Sequence, residues 1–137
     1  MKTTPQILLS LMLQITQARR YPDVTQSLEQ PKNAKVDIRQ VRPELNSILI
    51  GHNNPLGSDI RIVQASPFNT SINLGINGGK GCKINIKLSN CVNLQLHLNL
   101  NSIHDSSVNV QVVSARNSEV HLSMQNPMNT PIKVNND

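Results

Sequence analysis

An all-β chain wound as a parallel β-solenoid is the fold that the sequence predicts, and three observations predict it. Aliphatic residues recur every twelve positions without insertion or deletion, through Val36, Ile48, Ile60, Ile72, Ile84, Leu96, Val108, Val120 and Ile132. A second column two residues later keeps the same phase, through Ile38, Ile50, Ile62, Leu74, Ile86, Leu98, Val110, Leu122 and Val134. The chain also has a single Tyr21, a single Phe68 and no Trp among its 137 residues, so bulk for an ordinary globular core is lacking and stacked aliphatic ladders must supply it. A fixed period of this kind marks a repeat architecture, in which each unit buries its apolar face only against its neighbours.

Taken in order, the chain opens on residues 1–18. Met1 and Lys2 precede the apolar run Ile7 to Leu13, and Thr16, Gln17 and Ala18 stand at the spacing of a cleavage site. This is the pattern of a secretory signal peptide, and it implies a secreted or cell-surface protein; the competing expectation is a helix that caps one end of the domain. Residues 19–34, with Arg19, Arg20, Pro22, Pro31 and Lys32, show almost no apolar pattern and read as a polar lead-in or cap. No other stretch is long enough to span a membrane.

The solenoid domain is expected over 35–137, in twelve-residue blocks that begin at Lys35: eight complete repeats and a partial ninth from Pro131 to Asp137. Positions two and four of each block are the aliphatic pair and position three is mostly polar, which is the alternation of a strand with one buried face. Position six joins that face in Ile76, Leu88, Leu100, Val112 and Met124. Position nine is often Pro and position eleven often Asn or Gly, the chemistry of a corner that needs a left-handed residue. Leu56, Phe68, Val92 and Met128, at position ten, are expected to point inward from it. Asn occurs 18 times, mostly in the second half of a block, where copies stacked at one level spacing can bond to each other.

An antiparallel β-sandwich is the alternative, because short strands at regular spacing also suit hairpins. Stacked coils enforce equal block length and hairpins do not, which favours the solenoid. Coil size stays open between one block and two. Cys82 and Cys91 bear on it: they flank one strand, so a disulfide fits a one-block coil and is out of reach in a two-block coil.

The twelve-residue period resembles that of one class of insect antifreeze proteins, right-handed solenoids of twelve-residue coils. Those proteins carry an outer Thr-x-Thr ladder and a Cys-rich core. This chain has neither, and its outward residues are mixed and charged, as in Lys83, Asn85 and Lys87.

Function is read from what the columns present. The acids Asp37, Glu44, Asp59, Asp105 and Glu119 fall in different columns and levels and form no acid/base pair, so the chain is expected not to be an enzyme and to need no cofactor or metal. A net charge of +5 without interleaved aromatics does not signal nucleic acid. A polar face of Asn73, Asn85, His97, Asn109 and His121 with Lys83 and Lys87 is the candidate binding surface. In a two-block coil His97 and His121 would stack on adjacent levels.

Ile132 and Val134 continue the ladder into the last, partial repeat and define a candidate assembly edge. The expectation is a secreted, non-enzymatic structural or adhesive solenoid that self-associates or docks through that edge. The alternative is a binding module for a repetitive surface, a polysaccharide or ice.

Overall fold

The computed structural model describes residues 10–15 and 22–136, and the chain is a parallel β-solenoid. The strands are β1 (Ser10–Ile15), β2 (Val24–Glu29), β3 (Lys35–Val41), β4 (Ser47–Asn53), β5 (Asp59–Ala65), β6 (Ser71–Asn77), β7 (Lys83–Ser89), β8 (Gln95–Asn101), β9 (Ser107–Val113), β10 (Glu119–Gln125) and β11 (Ile132–Asn136). Odd strands form sheet A in the order β1-β3-β5-β7-β9-β11, and even strands form sheet B in the order β10-β8-β6-β4-β2. Each coil therefore contains two blocks. From β2 onward every pairing is parallel at an offset of 24 residues, as in Ile60 beside Ile84 and Leu74 beside Leu98.

Packing decides the coil size. Two bulky aliphatics per block need a facing surface, and sheet B supplies it for sheet A. Val36, Ile38, Ile60, Ile62, Ile84 and Ile86 from one sheet and Ile48, Ile50, Ile72, Leu74, Leu96 and Leu98 from the other are all buried in one core. Burying a side chain of this size stabilises the fold by roughly 1.5–3 kcal/mol.

The corners follow one rule. Every described residue with positive φ stands at position eight or eleven of its block, from Gln30 and Asn33 to Asn126 and Asn129. Each left-handed residue turns the chain and resets the strand alternation, so the inward series runs two, four, six, nine, twelve. Position ten consequently faces out. Leu56 is 47% exposed, Phe68 43% and Met128 62%, which corrects the expectation that these side chains point inward. Corner backbone groups bond to the next level, as in Phe68 N–H to the Pro43 carbonyl (2.9 Å) and Asn69 N–H to the Val92 carbonyl (3.1 Å). Among the described residues none of these bonds uses the nitrogen of position nine, so proline loses no hydrogen bond there.

The repeat also begins one block earlier than Lys35. Val24, Gln26 and Leu28 occupy positions two, four and six of a block in 23–34, and β2 pairs with β4 at Val24 beside Ile48. Gln26 at a normally aliphatic position hid this turn of the solenoid inside the expected lead-in; residues 19–21 lie outside the described residues. Of the expected signal segment, only Ser10–Ile15 is described, as β1 alongside β3. That pairing has an offset of 25, one residue more than the others.

Candidate functional site

The two-block coil sends alternate blocks to opposite sides of the molecule, and this divides the expected polar face. Asn73, His97 and His121 lie on the outside of sheet B, whereas Lys83, Asn85, Lys87 and Asn109 lie on the outside of sheet A. The structure does not bring the two sets together. Their columns coincide only when every block is superposed, and the chain superposes every second one.

Separation by sheet exposes an asymmetry in charge. Outward positions of sheet A carry Lys35, Arg39, Arg61, Lys83, Lys87 and Lys133 against Asp37 and Asp59. Among the described residues sheet B carries Glu29 and Glu119, with Asp23 just before β2, and no Lys or Arg. On sheet A each carboxylate has a cation at the same register on the next strand: Asp37 beside Arg61, Asp59 beside Lys35 and Lys83. Arg39 also bonds to Asp37, with Nε 3.3 Å from Oδ1. A shallow groove of about 380 Å³ crosses β3, β5, β7 and β9 between Arg39, Arg61, Asn85, Lys87, Asn109 and Gln111.

Sheet B is built differently. Its seventh column is an amide ladder in which Asn101 donates to Asn77 (3.0 Å), Asn77 to Asn53 (3.1 Å) and Asn53 to Glu29 (3.1 Å). Its third column ends in the expected histidine stack, with ring centroids of His97 and His121 4.8 Å apart and planes 7° from parallel. His121 Nε2 lies 3.2 Å from the Glu119 carboxylate, both side chains being more than half exposed. Among the described residues no three of His, Cys, Asp and Glu gather to hold a metal ion.

Polar and nucleophilic groups also occur inside. His52 is buried, with Nε2 2.9 Å from Gln26 Oε1 and Nδ1 3.3 Å from Ser58 Oγ. Burial pulls its pKa down to about 4. Cys82 and Cys91 are free thiols at opposite ends of β7, about 20 Å of extended chain apart, so the disulfide open in a one-block coil does not form. Burial pushes both thiols up, Cys91 to about 11, and they serve as small apolar fillers of positions twelve and nine.

The end of the stack is the remaining candidate. β10 and β11 each pair on one side only among the described residues. Leu98 is 2% exposed and Leu122, its equivalent one coil later, is 38% exposed; Val110 is 1% and Val134 43%. Ile132 is half-buried. No helix among the described residues is long and apolar enough to cross a membrane. No family model, no curated protein and no solved structure matches the chain.

Proposed function

We propose that the protein is a secreted, non-enzymatic structural or adhesive solenoid that associates end to end through the coil formed by β10 and β11. One observation carries this reading: the aliphatic columns that are closed throughout the stack face solvent at Leu122 and Val134. Beside them run the unpaired backbone groups of two parallel strands, a template for a further strand. The partner is a second copy, whose β2 edge presents Val24 and Leu28 in the same columns of sheet B as Val120 and Met124. Stacking β10 on that β2 continues the sheet in its own register period. Secretion rests on the apolar run Ile7 to Leu13 and the small residues before Arg19. Removal of residues 1–18 takes β1 with it and leaves β3 as a second open edge.

Sedimentation of the chain lacking residues 1–18 at micromolar concentration tests the reading. Oligomers that grow with concentration are expected, and Val134→Lys with Leu122→Lys is expected to return the protein to monomer while its β spectrum persists. A monodisperse monomer before substitution, or oligomers unchanged after it, excludes the edge.

A further inference from the structure

Beyond end-to-end stacking, and independently of it, we propose that the outer face of sheet A is a binding surface for a linear polyanionic glycan that lies along the solenoid axis. Six cations face outward there against two carboxylates, and among the described residues the opposite face has no Lys or Arg. The groove holds its cations one to a level: Arg39 on β3, Arg61 on β5 and Lys87 on β7. Successive levels are ~4.8 Å apart. A polyuronate carries one carboxylate per sugar residue at a spacing close to this, so a chain running across the strands passes a cation on each of β3, β5 and β7 and the amides of β9.

The groove chemistry selects a sugar polymer among polyanions. Asn85, Asn109 and Gln111 line it beside the cations and supply both donors and acceptors, which is what hydroxyl groups need. Among the described residues no aromatic side chain lies on this face to stack a base, as single-stranded nucleic acid binding requires. Arg39 is fixed by Asp37, with Nε 3.3 Å from Oδ1, so part of the site is ordered before a ligand arrives. The neighbouring strands hold the remaining side chains at a regular pitch, since each is anchored by a buried aliphatic on either side.

Binding of the full chain to polygalacturonate, dextran and oligo(dT), measured by calorimetry at two salt concentrations, tests the assignment. Polygalacturonate is expected to bind in a salt-sensitive manner and dextran not at all. The neutralised variant Arg39→Gln/Arg61→Gln/Lys87→Gln is expected to bind at least about tenfold more weakly. Lys32→Gln/Lys80→Gln/Arg116→Gln removes the same charge from the exposed corners and is expected to change affinity by less than about threefold. Equal loss in both variants, or none in the first, overturns the site, because net charge alone then explains binding. Oligo(dT) bound as tightly as polygalacturonate overturns the glycan. Salt-sensitive self-association abolished by the face variant, without polygalacturonate binding, makes a second copy's acidic sheet B the occupant and overturns the proposal. Arg61→Gln and Lys87→Gln as single changes read the same outcomes if the triple variant does not fold.

Discussion

At each corner two residues hold the left-handed backbone, and their chemistry differs with what surrounds them. Asn93 and Asn69 do more than tolerate it: Asn93 donates its amide to Asn69 at 2.8 Å, tying one level to the next. Gly57 has φ +71°, and a Cβ there would meet Asn33 Oδ1 at 2.6 Å, so the side chain of the level above takes the space that glycine leaves. His52 shows the opposite case, an ionisable residue in a column of sheet B that elsewhere takes Leu, Ile or Met. Its folded pKa of about 4 lies below the ordinary 6.5, so between these values the unfolded chain binds more protons. Stability is therefore complete above pH 6.5 and falls as pH drops towards 4, by no more than about 3 kcal/mol. Thermal melting across that window should show a loss in the natural chain that His52→Gln lacks, glutamine being the residue of Gln40 and Gln64 at position six. Superimposable pH profiles would show that the imidazole does not set the acid limb.

The strand and its corner form the element, and most of it was legible as period and phase. The aliphatic pair marks the buried face of β3 to β9 because a parallel stack repeats one environment at every inner level. Position ten escaped prediction because parity is lost at each left-handed residue: position eleven announces itself by Asn and Gly, whereas position eight includes Gln30, Arg42, Ser66 and Ser114, which carry no such signal. The first block escaped because Gln26 replaces an aliphatic and bonds to His52, a contact between residues 26 positions apart. The candidate site was legible only in part for a similar reason. Each column mixes residues of both sheets, so the basic face emerges once odd and even blocks are read separately. The period also makes one coil expendable. Removing residues 71–94 joins β5 to β8 with all registers preserved at 24, and a cooperatively unfolding β protein is expected, its denaturant m-value reduced by roughly a fifth. Removing 71–93 instead advances every later residue by one position and turns the buried columns outward, and that chain should not fold.

For the whole molecule the two proposed modes of association, through the ends and through the faces, differ in their physics. Stacking of β10 on the β2 of another copy joins unlike surfaces, so each added copy presents the same open end and growth gives a filament, not a closed dimer. Side-by-side contact would place sheet A of one copy on sheet B of the next and rest on opposite charge. Salt separates the two modes: it screens exposed ion pairs over a Debye length of about 8 Å at physiological strength, whereas burial of Leu122 and Val134 with closure of backbone bonds is not weakened by it. Concentrated protein is therefore expected to form filaments that persist or lengthen as salt is raised. Strands lie across the solenoid axis, so aligned filaments should diffract at ~4.8 Å along their length and at ~10 Å across it. A reflection of ~4.8 Å across the filament, or filaments that dissolve in salt, would mean that the faces and not the open coil join the copies.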